Sequence, residues 1–131
     1  MTLSKIVLCE TENRSFLFLR ELHGSREMFL TIGILETFML KRMLNGEPSA
    51  RPLTHELICG IIQQLGGDFE SILIDRLEDN IFYAKLRIRQ KGVWREVDAR
   101  PSDAITLAVT HVPMRKIYVH EKVLEQLEIE P

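Results

Sequence analysis

Apolar and polar positions alternate along the opening stretch of the chain, and that period of two predicts strands. Over residues 3–10, Ile6 and Leu8 fall on one face and Lys5, Val7 and Cys9 on the other. Residues 15–22 predict a second strand after a turn at Asn13, and His23-Gly24-Ser25 predicts the next turn. Met28 to Ile32 predicts a third strand that stops at Gly33. The period then changes. Leu35, Phe38, Met39, Met43 and Leu44 recur at helical spacing, and Asn45-Gly46 is a helix stop. Residues 47–52 carry two prolines and no period, which predicts a loop. Thr54 is the expected N-cap of a second helix. Leu57, Ile58, Ile61, Ile62 and Leu65 make its apolar stripe, and Gly66-Gly67 ends it.

Three more strands are expected at 69–77, 81–90 and 93–99, joined by two-residue turns at Asp79-Asn80 and Lys91-Gly92. A third helix runs from Pro101 to His111. Lys116 to Val119 reads as a short strand, and a last helix contains Val123, Leu124 and Leu127. Strands and helices come in blocks rather than in strict alternation. The expected class is therefore α+β: a single compact domain over residues 1–131, with a mainly antiparallel mixed sheet and about four helices.

The two tight turns fix a register. Arg76 should face Tyr83, Ile74 face Lys85, Ile72 face Arg87 and Glu70 face Arg89. On the other side Arg89 should face Trp94, Arg87 face Glu96, Lys85 face Asp98 and Tyr83 face Arg100. One sheet face then holds Phe82, Ala84, Leu86, Ile88, Val97 and Ala99 as core. The other holds the row Tyr83, Lys85, Arg87 and Arg89. Residues two apart on a strand are about 6.8 Å apart, close to the phosphate spacing of an extended single strand. With Tyr83 and Trp94 to stack bases, the row is a candidate nucleic-acid surface with about three uncommitted cations. The opposing Glu96 and Asp98 equally describe a self-neutralised face, which discourages edge pairing. Ile72 and Ile74 on that face suggest a covered partner surface.

Composition narrows the function classes. The 131 residues hold 17 Lys and Arg against 19 Asp and Glu, a net charge of −2, so bulk charge does not mark a basic nucleic-acid binder. No apolar run approaches the ~20 residues that span a bilayer, and the start does not read as a signal peptide. Cys9 and Cys59 lack CxxC spacing, so a reduced, cytoplasmic protein with two buried thiols is expected. Phosphate-loop, dinucleotide-binding, serine-hydrolase and zinc-protease motifs are absent, and no organic cofactor is expected.

The densest chemistry lies at Asp98-Ala99-Arg100-Pro101-Ser102-Asp103, where a strand runs into a helix. Two carboxylates at one corner, Asp98 and Asp103, can hold Mg²⁺ or Mn²⁺, and Arg100 can meet phosphate. The same residues also form a helix-capping network, with Ser102 or Asp103 accepting from the free N–H groups. His55, in the first turn of the second helix, is the best-placed general base. Glu36 lies one turn into the first helix.

Arg51-Pro52-Leu53-Thr54-His55-Glu56-Leu57, Phe82-Tyr83-Ala84-Lys85-Leu86, Val97 through Ile105, and Ile117-Tyr118-Val119 occur in an order and spacing that resemble the bifunctional nuclease domain family of bacteria and plants. Ile32-Gly33-Ile34-Leu35-Glu36 resembles that family's Ile-Gly-x-x-Glu segment. The resemblance implies a compact α+β domain and a nuclease acting on DNA and RNA with low sequence specificity. Two readings follow. One is a metal-assisted phosphodiesterase using His55, Asp98, Arg100, Asp103 and Glu36. The other is a non-catalytic binding or assembly module, a homodimer among the options.

Overall fold

The computed structural model describes residues 2–10, 15–46, 51–111 and 113–129, with side chains described for all of these but 2–10, 15, 34–36, 128 and 129. Their order is β1 (Thr2–Glu10), β2 (Ser15–Glu21), β3 (Glu27–Ile32), α1 (Ile34–Leu44), α2 (Thr54–Gln64), β4 (Gly67–Glu78), β5 (Ile81–Gln90), β6 (Val93–Ala99), α3 (Pro101–Thr110), β7 (Lys116–Val119) and α4 (Glu121–Ile129). The expected α+β class holds. The turn expected at Asn13, most of the 47–52 loop and the Cys9 side chain lie outside the described residues.

Seven strands form one sheet in the order β3-β2-β1-β7-β4-β5-β6. All neighbouring pairs are antiparallel except β4 with β7. The short β7 slots between β1 and β4, joining the N-terminal three strands to the later hairpins. The two tight turns form because their residues accept left-handed backbone. Asp79 and Asn80 have φ 50° and 62°, and Lys91 and Gly92 have φ 50° and 77°. Positive φ at both central positions matches the twist of a two-residue hairpin.

The register follows expectation on one side of β5 and departs from it on the other. Arg89 faces Trp94, Arg87 faces Glu96 and Lys85 faces Asp98. Against β4, Arg76 faces Tyr83 as expected, but the ladder then shifts between Ile74 and Arg76, and again between Phe69 and Ser71. Asp75 and Glu70 are the extra residues of two bulges. Ile74 therefore pairs with Ala84 and Ile72 with Leu86, and both isoleucines are wholly buried. The expectation that they share the charged face and mark it as a covered partner surface is overturned: they are core.

That core centres on α3. Ala104, Ile105, Thr106, Leu107 and Ala108 are buried in succession, and the helix touches α1, α2, β3, β4, β5 and β7. Thr106 can sit inside because its hydroxyl donates to Ser102 O at 2.7 Å. Leu17 and Leu19 of β2, Ile117 and Val119 of β7, and Val123 of α4 close the cluster. Arg26 links its own hairpin to α4, bonding Glu21 at 2.8 Å and Glu121 at 3.0 Å.

Two apolar expectations are corrected. Only Ile58 and Ile62 of the α2 stripe pack on the core; Leu57, Ile61 and Leu65 are exposed. Five apolar positions span more helix surface than the neighbours of α2 cover. Val97 is exposed as well, because β6 is an edge strand beside an open groove. No described helix is long and apolar enough to cross a membrane.

Candidate active-site groove

The start of α2 is built without a side-chain cap. Leu53, not Thr54, is the N-cap residue. Its N–H donates to Glu56 Oε1 at 3.2 Å, so the acidic residue of the first turn satisfies the backbone there. This leaves His55 on the inner side of the helix, with its side chain 11% exposed. The start of α3 is similar. Arg100 is the N-cap in extended conformation, Pro101 begins the helix, and no side chain caps it. The expected cap by Ser102 or Asp103 is not made, because the Asp103 carboxylate turns elsewhere.

It turns to two cationic or potentially cationic partners. Arg100 Nε donates to Asp103 Oδ2 at 2.9 Å. The other oxygen, Oδ1, lies 3.3 Å from His55 Nε2. A carboxylate can only accept, so this contact places the ring proton on Nε2. Nδ1 is then the ring's acceptor, and it is buried with no hydrogen-bond partner among the described residues. One carboxylate thus ties the first turn of α2 to the start of α3.

These residues border a cavity of about 690 Å³ between α1, α2, β6 and α3. His55, Asp98, Arg100 and Asp103 all line it, walled by Phe38, Met39, Ile58 and Val97. Three of the five catalytic candidates, His55, Arg100 and Asp103, therefore bring their side chains together at one open groove, and Asp98 borders it from the end of β6. The fifth, Glu36, belongs to α1 two residues before Phe38; its side chain lies outside the described part.

The expected two-carboxylate cation site does not fit this arrangement. Asp98 pairs in register with Lys85. That puts its side chain on the sheet face opposite Val97 and Ala99, which face the groove side. Both oxygens of Asp103 are already committed to His55 and Arg100. Among the described residues no three His, Cys, Asp or Glu side chains group as metal ligands.

Residues 17–131 match the bifunctional nuclease domain. The chain belongs to the bifunctional nuclease domain family. Among its relatives are uncharacterised proteins from two strains of Mycobacterium tuberculosis. Each is 37% identical over 118 residues, covering 89% of this chain and 68% of the relative.

The row expected to meet nucleic acid lies on the far side of the sheet from the groove. Tyr83, Lys85, Arg87 and Arg89 do share one face, but the expected free cations are engaged. Lys85 pairs with Asp75 at 3.5 Å, Arg87 with Glu96 at 3.9 Å and Arg89 with Glu70 at 3.8 Å. Arg76 stacks on Tyr83, and Arg87 and Arg89 both lie over Trp94. Asp75 reaches Lys85 only because the bulge turns it to this face.

Cys59 borders a separate pocket beside His111, Asp68 and Arg115. Burial, with help from the nearby Glu56 charge, pushes its thiol up from the ordinary range. That suppresses the thiolate a nucleophile would need. Sequence reasoning missed the groove walls, since helical periodicity marks Phe38 and Met39 as apolar positions of α1 without showing what they face. It also missed Arg115, Lys116 and Tyr118, which β7 brings beside Arg87 and Trp94. No local pattern announces that a short late strand inserts next to β4.

Proposed function

We propose that this domain hydrolyses phosphodiester bonds of nucleic acids in the groove between α1, α2, β6 and α3. The observation that carries the reading is the convergence of His55, Asp103 and Arg100 on one open cavity, in a chain of the bifunctional nuclease domain family. Arg100, with its side chain 69% exposed, meets the phosphate and balances the charge that grows on it. Asp103 positions both neighbours. His55, held at Nε2, takes the proton of the attacking hydroxyl or water at Nδ1, so substrate binding must open the cover over that atom. The apolar walls accept a base without hydrogen-bond readout, in keeping with low sequence specificity.

The test is degradation of single- and double-stranded DNA and RNA by purified protein, with EDTA, Mg²⁺ or Mn²⁺ present. Loss of a proton-transfer group removes roughly 10²–10⁴-fold in rate. His55→Ala and Asp103→Asn should each fall in that range while still melting cooperatively. Equal degradation by wild type and both variants would assign the activity to a contaminant or to residues outside this groove.

The burial of Nδ1 favours a second reading. In it the His55–Asp103–Arg100 chain is a structural tie, and the domain is a binding or assembly module. That reading gains if His55→Ala lowers the melting temperature and wild-type protein cleaves nothing.

A further inference from the structure

The outer sheet face holds a concavity of about 340 Å³ among its charged ridges. It exists because of a single small residue. In register across the sheet run Lys116 of β7, Ser71 of β4, Arg87 of β5 and Glu96 of β6. Ser71 is buried between two long cationic side chains, so the row dips at its centre. Neighbouring strands are about 4.8 Å apart, which sets Lys116 and Arg87 roughly 10 Å apart across the dip. Trp94 and Tyr118 stand at diagonal corners, each two residues along its strand from this row, and Arg115 adds a third cation.

The charges here are incompletely matched. Arg87 and Arg115 each keep a buried Nε–H with no hydrogen-bond acceptor. The carboxylate of Glu96 is 3.9 Å from Arg87 Nε, beyond hydrogen-bond range, and Asp68 is 3.5 Å from Arg115 Nη2. Among the described residues no carboxylate pairs with Lys116. Glu70, on the rim, is paired with Arg89. Buried guanidinium N–H groups without acceptors are costly unless a ligand or water supplies oxygens. Trp94, 48% exposed, stands beside them with the guanidinium groups of Arg87 and Arg89 4.9 and 5.4 Å from its ring centre, so a base stacks on the ring area they leave open.

We propose that this concavity binds a nucleoside phosphate: Arg87, Arg115 and Lys116 take the phosphate oxygens, and the base stacks on Trp94. It extends the nuclease reading and rests on it for the class of polymer, but it lies on the opposite sheet face from the groove. A strand that reaches both sites passes around the β6 edge.

Trp94 is the only tryptophan of the chain, so its fluorescence reports this site alone. The full chain is titrated at low salt with uridine, inorganic phosphate, uridine 5′-monophosphate and a short oligothymidylate. The monophosphate and the oligomer should quench; uridine should not. Tighter binding of the oligomer assigns the site to a strand, and equal affinity assigns it to a free nucleotide. Arg115→Ala with Lys116→Ala should flatten the log–log salt slope for the oligomer by about 1–2 units. Lys116→Gln, at an exposed position, guards against misfolding of the double variant and should weaken binding in the same direction. His55→Ala should leave quenching intact. Quenching without cleavage by any variant removes the groove reading and keeps this site. Cleavage without quenching, or quenching indifferent to Lys116→Gln and to the double variant, overturns this site.

Discussion

The groove and the outer sheet face hold similar chemistry in opposite settings. In the groove, one carboxylate meets two partners at 2.9 and 3.3 Å, beside a histidine whose side chain is 11% exposed. On the sheet face, Lys85, Arg87 and Arg89 meet carboxylates at 3.5–3.9 Å, with basic side chains 38–49% exposed. Coulomb attraction is damped where water enters, and exposed pairs are worth about 0–1 kcal/mol each. A partly dry link holds more per contact and costs more when broken. The richer array of charges is therefore the weaker one energetically, and the sparse groove is where a substitution should be felt.

What separates the two faces is the pair of bulges in β4, and breaking that separation should have the largest effect. Asp75 is an extra residue: Ile74 on one side of it points inward, and Arg76 on the other points outward. Deleting Asp75 leaves that inward–outward order intact, so the variant should fold, with only its contact to Lys85 lost. Deleting Leu73 instead forces either Ile72 outward or Asp75 inward. Exposing a wholly buried isoleucine costs about 1.5–3 kcal/mol, and burying an unpaired carboxylate costs more, against a total stability of order 5–15 kcal/mol. By circular dichroism the Leu73 deletion should melt well below wild type, and the Asp75 deletion should melt close to it. If both melt alike, the bulge is not what divides the faces.

This division marks where the sequence stopped being legible. Element positions were readable because Asp79-Asn80 and Lys91-Gly92 carry the backbone preference of the turn in their own chemistry. The β5–β6 register followed from the second turn alone. A bulge has no comparable signature at Glu70 or Asp75. It forms because Ile72 and Ile74 must be buried while Arg76 keeps its place, and that demand comes from packing against β7 and α3. The site was half legible for the same reason. Residues 98–103 advertise chemistry by their density of charge. The pairing of Asp103 with His55, forty-eight residues away, is decided by the contact of α2 with α3.

The next effect is smaller and belongs to the groove. Asp103→Ala removes both hydrogen bonds at once and leaves His55 buried with neither ring nitrogen paired. Leaving a buried polar group unsatisfied costs about 1–3 kcal/mol. Urea denaturation should show a midpoint shift of that size with an unchanged slope. Arg100→Ala should cost less, because its side chain is 69% exposed and contacts open to water contribute little. A larger loss from Arg100→Ala than from Asp103→Ala would reverse the order of burial and stabilisation argued for the groove.

The smallest effect is expected on the sheet face, and a double-mutant cycle measures it. Arg87→Ala and Glu96→Ala are made singly and together, and the coupling between them is read from urea midpoints. At 3.9 Å the pair lacks a hydrogen bond, and although the Arg87 Nε is buried, the two side chains are 38% and 47% exposed. A coupling below about 1 kcal/mol is expected, shrinking further as salt shortens the screening distance. The single Arg87→Ala variant should cost more than the coupling, because its guanidinium also lies 4.9 Å from the Trp94 ring centre. Cation–π contact at an exposed site is worth about 0.5–1 kcal/mol and survives the loss of Glu96. The arginine therefore has two partners of unequal kind, and only one is sensitive to salt. A coupling well above that of an exposed pair would mean that the sheet face is drier than its exposure indicates. The contrast with the groove would then rest on geometry alone.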